Sequence, residues 1–158
     1  MDIEAVRDRW RALGFPIRPG VSDAAILDFE SRHGVHLPAE VRKFYTCIDG
    51  MEYGSTDEEL ISFWPLAEVG PASLKLANFR GIPDCGYIES TLPEVHSYFV
   101  FADFLIWSHV YAVRLSPDPH TSNTVILIAN SQYWRLLASS FGEFFSRYAA
   151  CPESVLRP

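Results

Sequence analysis

Apolar residues recur at helical spacing through the first third of the chain and at strand spacing after it. Ile3, Val6, Trp10 and Leu13 stand three or four apart and are followed by Gly14, which predicts an amphipathic helix with a glycine stop. Two prolines between Gly14 and Gly20 break the chain. Ser22 is placed to cap a second helix with Ala25, Ile26 and Phe29 on its inner face, and Gly34 to end it in a left-handed conformation. Pro38 suits the first position of a third helix, whose stripe of Val41, Phe44, Tyr45 and Ile48 runs up to Gly50.

Beyond Gly50 the texture is that of strands. Residues 60–64 are short, apolar and closed by Pro65, while 98–101 and 109–115 are rich in aromatic and β-branched side chains. In the latter, His109, Tyr111, Val113 and Leu115 alternate with Val110, Ala112 and Arg114, the period of a sheet with unequal faces. Residues 125–129 are apolar throughout and read as a central strand, reached through a surface loop at 116–123, and 133–137 make a further short candidate. Ser140-Phe141-Gly142-Glu143 has the capping-box spacing, and Phe141, Phe144, Phe145 and Tyr148 give the stripe of a closing helix that Pro152 ends. Segment 67–97 carries no legible pattern.

Helices, then strands, then a helix describe an α+β fold: N-terminal helices, a central mainly antiparallel sheet, and a C-terminal helix packed against it. At 158 residues, with 48% hydrophobic and 14% aromatic residues, the chain is expected to be a single domain over 1–158, with 152–158 a frayed tail. Twenty acidic residues against thirteen basic ones give a formal charge of −7, which argues against a nucleic-acid binder, since that role needs a cationic surface to displace phosphate counterions. The acidic start at Asp2 and Glu4 does not resemble a secretory signal, and no apolar run approaches the roughly 20 residues of a membrane helix, so a cytoplasmic protein without a membrane segment is expected. Cys47, Cys85 and Cys151 are odd in number and far apart, which fits reduced thiols better than a disulfide framework.

No motif names a reaction. The five histidines form no metal-ligand spacing; His33 and His36 are separated by Gly34 at an expected helix end, and His109 reads as a hydrogen-bonding residue on a sheet face. There is no Gly-x-Ser-x-Gly elbow and no phosphate-binding glycine loop. No cofactor, metal or catalytic residue is therefore expected. An enzyme or sensor built on His109, Tyr111 and Asp103 stays open as an alternative, because side chains can converge in space without a motif.

The strongest local electrostatic feature is Asp49, Glu52, Asp57, Glu58 and Glu59, with no Lys or Arg among residues 49–59. Two readings fit: a solvated acidic loop, or a recognition loop for a cationic protein in which Tyr53 supplies an aromatic anchor and the carboxylates hasten encounter. Trp64, just beyond, reads as core. EF-hand calcium ligation is not matched, because Asp57-Glu58-Glu59 lacks alternating oxygen ligands.

Ile26-Leu27-Asp28-Phe29-Glu30, then Leu37-Pro38 leading into Phe44-Tyr45, then Asp49-Gly50, are followed by Phe63-Trp64-Pro65-Leu66, Phe101-Ala102-Asp103, the apolar strand at 125–128, and Ser140-Phe141-Gly142-Glu143-Phe144-Phe145. This succession resembles the SUKH superfamily, which contains yeast cell-wall assembly regulators and many bacterial immunity proteins. The resemblance implies the α+β architecture above, and it implies a non-catalytic protein-binding role. The first expectation is an immunity protein that neutralises a cationic toxin domain, such as a nuclease; an intracellular scaffold or regulator is the alternative. The sequence departs from the pattern after Asp103. Family members often have a glycine-rich turn there, whereas this chain has Phe104-Leu105-Ile106-Trp107, which makes Trp107 a candidate exposed contact. The expected partner-binding set is thus Asp49, Glu52, Tyr53, Asp57, Glu58, Glu59 and Trp107.

Overall fold

Asp2 and Ser22 start the first two helices by the same device, each side chain accepting the backbone N–H three residues on, at 3.0 Å from Ala5 and 3.3 Å from Ala25. The computed structural model in which these bonds are seen describes residues 2–77, 85–129 and 133–156. Helix α1 spans Ile3–Ala12 and buries Ile3, Val6 and Trp10, while Leu13 falls just past its end and is half exposed. Helix α2 spans Asp23–His33 and ends at Gly34, whose φ of 64° is left-handed as expected. Helix α3, Ala39–Cys47, buries Val41, Phe44 and Tyr45.

Ile48 does not extend α3. It begins a strand, β2 (Ile48–Met51), which pairs antiparallel with β1 (Ile17–Pro19), a segment expected only to break the chain. The cause is Gly50: its φ is 67°, and a Cβ there would lie 2.5 Å from the carbonyl carbon of Trp64, so the chain must leave the helix early to pass that close to another backbone.

The remaining strands are β3 (Ile61–Phe63), β4 (Gly70–Pro71), β5 (Tyr98–Phe104), β6 (His109–Arg114), β7 (Val125–Ala129) and β8 (Tyr133–Ala138). They form an antiparallel sheet in the order β3-β5-β6-β7-β8, with β4 also beside β5. Strand β7 lies inside the sheet, between β6 and β8, and is buried along its whole length, as its unbroken apolar run predicts. The sheet is apolar on both faces. Phe101, Tyr111, Val113 and Leu127 pack with the buried residues of α1, α2 and α3, whereas Val100, Val110, Ala112 and Ile128 pack with Ala72, Leu76 and Ile88. Those last residues belong to α4 (Ala72–Ala77) and α5 (Cys85–Thr91), two short helices from the segment that had no legible pattern.

The closing helix, α6, spans Phe141–Ala150. Ser140 Oγ accepts the N–H of Glu143 at 3.0 Å, and the Glu143 carboxylate reaches back to the N–H of Ser139 at 2.7 Å. Its Phe141, Phe144, Phe145 and Tyr148 are buried among Phe44, Phe63 and Phe101; Phe44 and Phe145 lie 4.8 Å apart between ring centroids. Within the tail expected to fray from residue 152, residues 153–156 are helical. There α7 (Glu153–Leu156) buries Val155, whose carbonyl accepts the Tyr111 hydroxyl at 3.2 Å.

Candidate functional site

The five loop carboxylates separate into two kinds. Asp49 is buried, with Oδ1 accepting the N–H of Leu66 at 2.7 Å and Oδ2 accepting from Arg18 Nε at 3.1 Å. Asp57 is buried too. Its Oδ1 accepts the backbone N–H groups of Glu59 and Ile61 at 2.9 and 2.8 Å, and its Oδ2 accepts a hydrogen bond from the Tyr148 hydroxyl, which in turn accepts from Trp10 Nε1 at 3.1 Å. Burial pushes the Asp57 carboxyl up from the usual carboxylate range and the Tyr148 phenol up from its own. Asp49 and Asp57 are thus buried and bonded within the fold, unlike the other members of the expected set. Together they pin both ends of the loop between β2 and β3. Period alone could not show this, since an acid folded back onto backbone N–H groups reads in sequence like an acid facing water.

Glu52, Tyr53, Glu58 and Glu59 remain at the exterior. Tyr53 is fully exposed, and Glu58 pairs with Arg9 at 3.3 Å in an open ion pair. Glu58 and Glu59 edge one cavity of about 390 Å³, shared with Arg9, Trp10, Phe15 and Tyr148 between α1 and α6. Tyr53 edges another, of about 340 Å³, which shares no lining residue with the first. The acidic stretch therefore faces two hollows and does not make one continuous patch.

The second hollow is floored by two tryptophans. Trp64 is buried, as expected, yet its indole lines this slot; its Nε1–H donates to Asp103 Oδ1 at 2.7 Å, and its ring lies 4.7 Å from that of Trp107. Asp103 Oδ2 accepts the backbone N–H of Trp107 at 3.0 Å. Lys75 from α4 places Nζ 5.6 Å from the Trp64 ring centroid and 3.5 Å from Glu68.

The β5–β6 turn also lines this slot, through Ile106 and Trp107. Leu105, Ile106 and Trp107 have φ of 44°, 52° and 65°, three consecutive non-glycine residues in the left-handed region. That conformation costs about 1–2 kcal/mol per residue, and for a β-branched side chain such as Ile106 it is rarer still. Three hydrogen bonds over-determine it: Trp107 N–H to Asp103, Leu105 N–H to the Leu60 carbonyl at 3.0 Å, and Ser108 N–H to the Phe104 carbonyl at 2.9 Å. Ile106 is 82% exposed and Leu105 49%. Trp107, the expected exposed contact, is partly buried against Trp64, and Ile106, which the sequence reading did not single out, is the most exposed residue of the run Phe104–Trp107.

His109, Tyr111 and Asp103 do not converge. In the β5–β6 register Asp103 is opposite Val110, so it lies on the face away from His109 and Tyr111, and both its oxygens are taken. His109 Nε2 is 3.1 Å from the Tyr111 oxygen, and burial, with Arg135 adding to it, lowers the imidazole to about 4. The His33 ring packs on Phe29 and Phe99, while His36 faces Glu30 at 3.7 Å. Among the described residues no group of three or more His, Cys, Asp or Glu side chains is gathered as a metal site, and no helix is long and apolar enough to cross a membrane.

The motif positions turn out to be structural. Glu30 Oε1 accepts the N–H of Leu37 at 2.8 Å and pairs with Arg42 at 2.9 Å, joining the end of α2 to the start of α3. A family model described as SMI1 / KNR4 family (SUKH-1) matches residues 20–147, a span that contains all of these positions. No curated protein matches the chain.

Proposed function

The chain belongs to the SMI1 / KNR4 family (SUKH-1), and from that membership we propose that it is a bacterial immunity protein, acting in the cytoplasm by binding and neutralising a cationic toxin domain such as a nuclease. SUKH-domain proteins are generally non-catalytic, which agrees with a role carried by surface shape and charge. The observation that carries the reading is the construction of the acidic loop: buried Asp49 and Asp57 fix its ends, and what it presents outward is Glu52, Tyr53, Glu58 and Glu59. A fixed loop loses little conformational entropy on binding, an exposed tyrosine is a frequent interface anchor, and a formal charge of −7 speeds encounter with a basic partner.

The test is direct mixing of the purified chain with a toxin domain encoded beside its gene. Formation of a complex whose association slows as salt is raised, with loss of the toxin's activity, is the expected result. A complex with another cellular protein and no loss of any activity would replace neutralisation with a scaffolding role. Absence of a complex with the neighbouring toxin domain would remove the immunity reading.

A further inference from the structure

We propose that the β5–β6 tip and the tryptophan-floored slot beside it form the anchor point for the protein partner, taking a segment in which a large apolar or aromatic side chain stands next to an arginine or lysine. This rests on the protein-binding reading above and specifies what is bound and where.

Scattered exposed apolar residues are ordinary on any protein. Here they are organised around one hollow. Tyr53, fully exposed, stands on one side and Ile106, 82% exposed, on the other, over a floor made by Trp64 and Trp107. A slot of about 340 Å³ accommodates one large side chain. The walls are fixed in place: Asp103 ties the indole of Trp64 and the backbone of Trp107 to a single carboxylate, and the left-handed turn lifts Ile106 into solvent in a conformation that a glycine turn would adopt with less strain.

Charge selects the neighbour of the inserted side chain. Lys75, the cation lining the slot, is already satisfied by Glu68 and by the Trp64 ring. Glu52, which precedes the slot-lining Tyr53 in the chain, is exposed and forms no ion pair among the described residues. An arginine or lysine beside the inserted side chain meets that carboxylate, while an acidic residue there is repelled by it and by the chain's net charge.

The probe is a capped pentapeptide, Gly-Arg-Trp-Arg-Gly, titrated into the isotope-labelled full chain and followed by backbone amide shifts. Saturable shifts confined to residues 51–56, 62–68, 75 and 103–107 are expected, weakened about tenfold by Ile106→Ser and lost when the two arginines of the peptide are replaced by glutamate or its tryptophan by alanine. Ile106 is so exposed that the variant should keep the dispersed amide spectrum of the parent. Shifts that are absent at millimolar peptide, that centre on the α1–α6 cavity, or that survive Ile106→Ser unchanged would overturn the assignment. A second arm uses the neighbouring toxin domain. If the parent binds it and Ile106→Ser binds it equally well, the slot is refuted while the protein-binding reading stands; if the parent does not bind it, the immunity reading fails and the peptide titration alone judges the slot.

Discussion

Trp64 and Asp103 are joined by a 2.7 Å hydrogen bond from indole Nε1 to Oδ1, and the other oxygen of the same carboxylate accepts the N–H of Trp107. One side chain thus couples the slot floor to the strained turn above it. The carboxyl is raised from its usual range because burial disfavours its charge, an effect that its two donors only partly offset.

Asp103→Ala leaves two donors without their acceptor in a part-buried setting, and a loss of about 2 kcal/mol is expected. Urea unfolding measures it, and a red shift of tryptophan emission should accompany it as Trp64 and Trp107 gain water. An unchanged unfolding midpoint would mean that the turn is held by the Leu60 and Phe104 carbonyls alone.

Ile106→Gly should act in the opposite direction on stability. The side chain is mostly in solvent, so little packing is lost, and relief of the φ of 52° should be worth about 1 kcal/mol, or roughly 2–4 °C in melting temperature for a chain of this size. The same variant should bind the arginine-tryptophan peptide more weakly. Stability and binding moving apart is the signature of strain retained for contact, whereas a lower melting temperature would show that Ile106 packs more than its exposure implies.

The fold was legible where one local pattern agreed with one tertiary environment. Capping residues and the 3.6 period located α1, α2, α3 and α6, because Ser22, Gly34 and Ser140 act on their own helix ends. Strand β1 was missed because three residues containing a proline carry no usable period, and the run of α3 into Ile48 was overextended because the contact that stops it is between Gly50 and Trp64. Segment 67–97 was opaque because α4 and α5 are short and cover the second apolar face of the sheet, which an alternating strand pattern does not announce. At the site, the exposure of Tyr53 agrees with its place in an acidic, polar stretch, whereas Trp107, expected to be exposed, is partly buried against Trp64. The inward turn of Asp49 and Asp57 was not legible, since it depends on Leu66, Arg18 and Tyr148 arriving from distant parts of the chain.

The division among the loop acids predicts two unlike mutational outcomes. Asp57→Ala strands the N–H groups of Glu59 and Ile61 and the hydroxyl of Tyr148, and should cost about 2–3 kcal/mol. Glu58→Gln with Glu59→Gln should change stability by less than about 1 kcal/mol, because the Arg9 pair is exposed and screened. In a stopped-flow measurement against a cationic partner the double variant should associate more slowly, with a flatter dependence on salt. Equal destabilisation by the two changes would contradict the separation drawn here.

His109 sets an acid limb of stability. Its imidazole titrates near 4 in the folded chain, against about 6.5 when unfolded, because burial and Arg135 disfavour the cation. Between those values the unfolded chain binds the extra proton, so stability falls as pH drops from about 6.5 to 4, by at most about 3 kcal/mol. Asp57 and Asp103 oppose this: their raised carboxyls take up protons in the folded chain first. The diagnostic quantity is therefore the difference between the parent and His109→Gln, which should shrink over that interval as the parent loses its advantage. A constant difference across it would mean that the ring is hydrated in the folded state.

Phe44 tests whether the helices and the sheet share one core. The ring is fully buried, 4.8 Å from Phe145, 5.0 Å from Tyr45 and 5.6 Å from Phe141, so it meets α6 as well as its own helix. Phe44→Ala removes contacts on several sides at once and leaves a cavity that three neighbouring rings cannot all close, which places the expected loss at about 3–5 kcal/mol. Leu27→Ala, on the outer side of α2 where the side chain is 59% exposed, changes helix content no more and should alter the unfolding free energy by less than about 0.5 kcal/mol. The contrast separates burial from helix propensity as the source of the loss. If the two variants unfold at the same denaturant concentration, the aromatic cluster that links α3 to α6 is not what holds the N-terminal helices to the sheet.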